Sequence, residues 1–130
     1  TWAINPDYLQ GKTTSIKAGL EIIGPMRPDV LLILNVDQPR SSQTVSCILA
    51  SHSASGSLIS VPTYGGKGGH PIILAGELLE ELKSIEEETQ GIRAVVTKYK
   101  ERTQRVEIQA PEVLWDLNTP EQYQEALGGW

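Results

Sequence analysis

Val30-Leu31-Leu32-Ile33-Leu34-Asn35-Val36-Asp37-Gln38-Pro39 is the stretch on which the reading of this chain turns. Five apolar residues without alternation suit a strand buried on both faces, as in a parallel sheet covered by helices. The run ends in an Asp-Gln-Pro turn. In open α/β sheets ligands sit beyond the carboxyl ends of strands, so Asp37 stands where a carboxylate would face a ligand. As a functional residue it suits Mg²⁺, which takes carboxylate oxygen and keeps waters and substrate phosphate as further ligands. As plain structure, the same aspartate caps its own turn or the next helix. Spacing alone leaves both readings open.

Working upstream, Thr13 to Ile23 reads as a helix with Ile16, Leu20 and Ile23 on one face, broken by Gly24-Pro25. Before it, Trp2-Ala3-Ile4 reads as a short strand ended by Asn5-Pro6-Asp7. Downstream, Val45, Ile48, Leu49 and His52 form a helical stripe with Ser41 or Ser42 as N-cap, and Ser51 to Ser57 reads as a connector. Leu58 to Val61 reads as a strand, and a glycine-rich loop leads into the apolar run 72–74. A helix is expected over about Gly76 to Glu88, with Leu78, Leu79, Leu82 and Ile85 inward and Glu86-Glu87-Glu88 as a solvated end. Ile92, Val95, Val96 and Tyr99 fit another helix, and Arg105 to Ile108 a strand. Thr119-Pro120-Glu121-Gln122 carries a capping box that starts a helix reaching about Leu127. Strands alternate with helices, which gives an α/β class with a mainly parallel sheet.

Composition narrows the functions. The chain has 130 residues, 11 Lys+Arg against 16 Asp+Glu, and a formal net charge of −5. An acidic chain without a basic run is a poor binder of nucleic acid or of an anionic membrane. Cys47, the one cysteine, excludes an internal disulfide and any cysteine-rich zinc site and fits a reducing cytoplasm. No apolar stretch approaches the length of a membrane span.

Three more segments are candidates for chemistry. Trp115-Asp116-Leu117-Asn118-Thr119-Pro120-Glu121 places Asp116 and Asn118 two apart before a helix start, where oxygen ligands could complete a metal site with Asp37; the alternative is simple capping. Tyr64-Gly65-Gly66-Lys67-Gly68-Gly69-His70-Pro71 allows close backbone approach to a ligand and movement on binding, with His70 as a donor to phosphate or a polar ring; the alternative is a mobile surface loop. It is not a Walker A loop. Asn5-Pro6-Asp7-Tyr8 with Gly11-Lys12-Thr13-Thr14-Ser15 enters a helix, where hydroxyls and free N–H groups suit ribose or phosphate; the alternative is helix capping. His52 reads as packed, Cys47 carries no function, and the three tryptophans read as structural.

Taken in order, these segments resemble the nucleotidyltransferases of molybdenum-cofactor maturation, closest to the molybdopterin cytidylyltransferase branch of the MobA-like NTP-transferase superfamily. The resemblance runs from Trp2 to Leu127. It implies a three-layer, Rossmann-like fold and a Mg²⁺-dependent reaction in which the acceptor's terminal phosphate attacks the α-phosphate of CTP or GTP and pyrophosphate leaves. It assigns Asp37 and Asn118 to Mg²⁺, Asn5, Gly11, Thr14, Ser15 and Asp37 to the nucleotide, and Gly69, His70 and Pro71 to the molybdopterin acceptor. Asp37 and His70 would be the catalytic pair. The chemistry agrees, since such a transfer needs a metal and positioned donors more than a covalent nucleophile.

The family's first strands and its glycine-rich, basic triphosphate loop have no counterpart here. The expectation is therefore a C-terminal portion of a single MobA-like domain over residues 1–130, inactive by itself. A cytoplasmic enzyme is expected, as a homo-oligomer or in transient complex with molybdoenzyme maturation proteins. A non-catalytic binding or assembly module, or a sugar phosphate as acceptor, is the alternative.

Overall fold

The computed structural model describes residues 1–130. In chain order the elements are α1 (Lys12–Ile23), β1 (Val30–Ile33), α2 (Ser42–Ser55), β2 (Ile59–Tyr64), β3 (Lys67–Gly68), β4 (Ile72–Ala75), α3 (Leu79–Lys83), α4 (Ile92–Lys98), β5 (Thr103–Glu107) and α5 (Pro120–Gly129), joined by short 3₁₀ turns. The class is α/β. The five strands form one sheet in the order β1-β4-β2-β3, and β5 also pairs with β2. The sheet is mixed: β2 runs parallel to β5, with Ile59 opposite Thr103 and Thr63 opposite Glu107, and antiparallel to β3.

The chain resolves into two compact units, Thr1–Leu31 with Leu74–Arg102, and Leu32–Ile73 with Thr103–Trp130. In the first, Leu20 of α1 and Leu78, Leu79, Leu82, Ile85 and Val95 are buried, as their spacing required. In the second, Ile48 of α2, Ile73, Ile108 and Val113 form a buried cluster flanked by Leu49, Val106, Ala110 and Leu114. His52 is packed as expected: its Nδ1 lies 2.7 Å from Ser60 Oγ, and that oxygen accepts from Gln104 Nε2 at 2.7 Å.

Local signals set several boundaries. Ser41 caps α2, accepting from the Thr44 N–H at 3.2 Å. Both halves of the capping box at Thr119 and Gln122 are formed, and α5 continues two residues beyond the expected end, to Gly129. The expected connector from Ser51 is instead helix: α2 runs to Ser55 and stops at Gly56, whose positive φ of 67° ends helices readily. The expected long helix over 76–88 is only a 3₁₀ turn at Gly76–Leu78 followed by α3. Ser84 closes it, its N–H and hydroxyl both bonding the Glu81 carbonyl.

Two strand expectations are corrected. Trp2-Ala3-Ile4 forms no strand, and Trp2 and Ile4 are exposed: three apolar residues do not make a strand without a ladder to join. β1 is not buried on both faces. Leu31 is 3% exposed but Val30 is 36% and Leu32 40%, the alternation of a strand packed on one side only. The expected structural role of the tryptophans holds for Trp115, whose ring lies 5.9 Å from that of Trp130, and not for Trp2. No helix is long and apolar enough to cross a membrane.

Candidate functional site

The Asp-Gln-Pro turn after β1 is organised around Gln38. This side chain is 4% exposed, so its amide must find partners inside the protein. Its Oε1 accepts from the Asn35 N–H at 3.1 Å, and its Nε2 donates to Asp116 Oδ1 at 2.7 Å. The same Nε2 lies 3.3 Å from Nδ1 of His70. One residue on, Arg40 holds four carbonyls: Nε donates to His70 at 2.8 Å, one terminal nitrogen to Pro39 at 2.7 Å and Trp115 at 3.0 Å, and the other to Val113 at 3.0 Å. Burial pulls the Arg40 pKa down from its ordinary value, against the opposing pull of Asp116, Glu112 and Asp37.

Three expected segments therefore meet within the second unit. The Leu117 N–H donates to the Asp37 carbonyl at 2.8 Å, which ties Asp37 to the residue between Asp116 and Asn118. The His70 N–H donates to Val113 at 2.9 Å. Asp37 is half-buried and Asn118 exposed. Gly69 is buried with its Cα against Val113, and any Cβ there would run into the Val113 carbonyl. Behind them, Glu112 accepts from the Ser41 N–H at 2.9 Å and the Ser41 hydroxyl at 2.7 Å. Burial raises the Glu112 pKa, but the Thr44 and Ser41 hydrogen bonds and the Arg40 charge outweigh it and hold the carboxyl below its ordinary value. An open cleft of about 200 Å³ lies against Trp115, Asp116 and Leu117 on one side and Gln122, Glu125 and Ala126 of α5 on the other.

The glycine-rich segment is not a loose loop. Gly65 and Gly66 turn β2 into β3 with positive φ angles of 56° and 78°, the pairing of a two-residue hairpin. Glu107 of β5 braces the turn, accepting from Gly65 N–H at 2.8 Å and Thr63 Oγ1 at 2.6 Å, while Arg105 donates to the Gly66 carbonyl at 2.9 Å. The Thr63 bond, with help from the Gly65 and Gly66 N–H groups, lowers the Glu107 pKa.

Of the residues expected near a nucleotide, Asn5, Gly11, Thr14 and Ser15 come together in the first unit, while Asp37 lies in the second. Asn5 Nδ2 donates to Thr14 Oγ1 at 2.8 Å and to Ser15 Oγ at 2.9 Å. Thr14 Oγ1 in turn lies 2.8 Å from the Gly11 carbonyl. The helix start is not open, however. Glu87 accepts from the Thr13 N–H, and this bond leads the causes that lower its pKa. The acidic run 86–88 is thus more than a solvated end, since Glu87 caps α1. Gly11, at φ 122°, admits the Glu87 side chain where a Cβ would collide with it.

The sequence reading missed Gln38, Arg40, Glu112 and Glu87 as organising residues. The available signal was that Gln38 and Arg40 flank Asp37 in a turn whose polar side chains need partners.

The oxygen donors present fit Mg²⁺ better than a soft metal. They are the Asp37 carboxylate and the Asn118 amide, and no group of three or more His, Cys, Asp or Glu is gathered in one place. One or two chain ligands completed by substrate phosphate and water is how Mg²⁺ is commonly held.

Residues 1–105 match the family model of the MobA-like NTP transferase domain. No curated protein matches the chain. Among solved structures, the chain is similar to the crystal structure of a Mycobacterium tuberculosis rv0371c homolog from Mycobacterium sp. strain JC1, with a TM-score of 0.69 and 21% identity. That match covers 88% of this chain and 56% of the mycobacterial one, so the chain spans little more than half of that relative's length. At this identity the likeness is one of fold.

Proposed function

Because the chain belongs to the MobA-like NTP transferase family, we propose that it serves a nucleotidyltransferase that moves CMP or GMP from CTP or GTP onto the phosphate of a molybdopterin acceptor. An acceptor phosphate oxygen bonds to the α-phosphorus of the nucleotide as the bond to the β-phosphate oxygen breaks, and pyrophosphate leaves. The supporting observation is the meeting of Asp37, Gln38, His70 and the 116–118 segment, joined by the Gln38 amide and the Leu117–Asp37 bond.

Asp37 and Asn118 would hold Mg²⁺, which when bound neutralises charge developing on the phosphate oxygens. His70, fixed through its backbone by Arg40 and Val113, would meet the acceptor together with Gly69 and Pro71. Asn5, Thr14 and Ser15 would offer hydroxyl and amide groups to the nucleotide, with Gly11 allowing close approach. A phosphate at the Thr13 N–H would have to displace Glu87. The molybdopterin acceptor rests on the resemblance of the Gly-His-Pro and Asp-Leu-Asn-Thr-Pro-Glu segments.

The test is to incubate the full-length protein, with the family's triphosphate loop in place, with Mg²⁺, CTP or GTP, and molybdopterin and to follow pyrophosphate. Release with molybdopterin, and loss of release in Asp37→Ala with the fold retained, is the expected result. Release with a sugar phosphate instead would change the acceptor. No release with any phosphorylated acceptor would favour a binding or assembly module.

A further inference from the structure

The Gln38 amide is oriented by two partners whose roles are not interchangeable. A backbone N–H only donates, so the side-chain atom facing Asn35 N must be the carbonyl oxygen. A carboxylate only accepts, so the atom facing Asp116 Oδ1 must be the NH₂ group. The two constraints agree, and they leave no freedom to exchange oxygen and nitrogen. The second N–H of that NH₂ group then faces His70 Nδ1 at 3.3 Å, and two donors cannot share a hydrogen bond. Nδ1 must accept, which puts the single proton of the neutral ring on Nε2.

From this we infer that Gln38 is a positioning residue that fixes His70 as the Nε2–H tautomer, so that His70 meets an anionic oxygen as a hydrogen-bond donor and does not serve as a general base. The functional half rests on the nucleotidyltransferase reading; the tautomer itself does not. The ring nitrogen able to take a proton is the one engaged by Gln38. Arg40 on the His70 carbonyl and Val113 on its N–H hold the backbone while Gln38 holds the ring. A donor suits an acceptor phosphate, which is an anion and needs a hydrogen bond more than it needs a base. The chain Asn35–Gln38–Asp116 also explains why a glutamine is buried here: it relays the orientation of a backbone N–H and a carboxylate to an imidazole.

The experiment is nitrogen-15 NMR of the histidine-labelled chain, with His70 separated from His52 by a His70→Gln variant. At neutral pH, His70 Nδ1 is expected at the shift of a bare ring nitrogen and Nε2 at that of an N–H nitrogen. Gln38→Glu replaces the donor facing Nδ1 by an acceptor and should move a proton onto Nδ1 in the larger share of molecules. Gln38→Met removes the donor and should leave a mixture. A protonated Nδ1 in the unmodified chain overturns the inference, and so does an Nδ1 that stays bare in Gln38→Glu. His52, buried against Ser60, reports in each spectrum whether the core is intact. Since no turnover is measured, the tautomer is tested apart from the nucleotidyltransferase reading: a full-length protein that shows the expected tautomer and releases no pyrophosphate would count against that reading and leave the role of Gln38 standing.

Discussion

The polar cluster at the start of α1 and the one around Gln38 differ chiefly in the length of chain they close. Asn5 reaches Thr14 and Ser15, nine and ten residues away. Gln38 reaches His70 and Asp116, 32 and 78 residues away, and Arg40 reaches Val113 and Trp115, 73 and 75 away. The first cluster is a local motif with one distant cap, Glu87. The second is a junction, in which a few side chains join segments far apart in the chain. Removing a residue from the first should loosen one helix end; removing one from the second should uncouple the segments.

Arg40→Ala should have the largest effect. It removes the bonds to the His70, Val113 and Trp115 carbonyls in a part-buried place and leaves Val113 only its bond from the His70 N–H, and a loss of about 3 kcal/mol is expected in urea unfolding. Gly69→Ala comes next, at about 2 kcal/mol, because its Cβ meets a backbone carbonyl that cannot swing aside as a flexible side chain would. Glu112→Gln should cost about 1–2 kcal/mol at neutral pH, since the hydrogen bonds from Ser41 lose their charged acceptor. Asn5→Ala should be the mildest, under about 1 kcal/mol, with the Thr14 hydroxyl keeping the bond it already donates to the Gly11 carbonyl. An Asn5→Ala cost equal to that of Arg40→Ala would erase the distinction between motif and junction.

Acid titration sharpens the same contrast. The Glu112 pKa is lowered in the folded state, so its stabilisation is present above the ordinary carboxylate range and is lost as pH falls through the folded value. His52 is lowered by burial, so the unfolded chain takes up its proton first. Its contribution is intact above the ordinary imidazole value and declines as pH falls towards the folded one. Unfolding followed from pH 8 to pH 3 should therefore show two declines, the first lessened in His52→Gln and the second in Glu112→Gln. A single decline unaffected by either substitution would remove both assignments.

What the sequence disclosed follows the same division. Thr119 and Gln122 form their capping box, and Ser41 caps α2, because those bonds are written within three residues. Leu78, Leu79, Leu82 and Ile85 are all buried, although α3 carries only Leu79 and Leu82, because apolar residues are buried whether the turn that holds them is α-helical or not. The run 30–34 predicts a doubly covered strand because an unbroken apolar run looks the same whether or not a layer lies over its second face. Asp37, His70 and Asn118 could be named as candidates from their turns. Gln38 and Arg40 could not be ranked above other polar residues, since the partners that join them to other segments lie 30 or more residues away.

The braced hairpin bears on how glycine-rich segments are judged as phosphate binders. Such a segment attracts an anion only through amide protons that nothing else has claimed. Here the Gly65 proton goes to Glu107, the Gly69 proton to the Pro62 carbonyl and the His70 proton to the Val113 carbonyl. A phosphate arriving at the turn would find a carboxylate already seated. In this protein Gly65 and Gly66 supply the positive φ of the turn and Gly69 makes room for the Val113 backbone, and the test of any similar loop is a census of unclaimed donors, not of glycines.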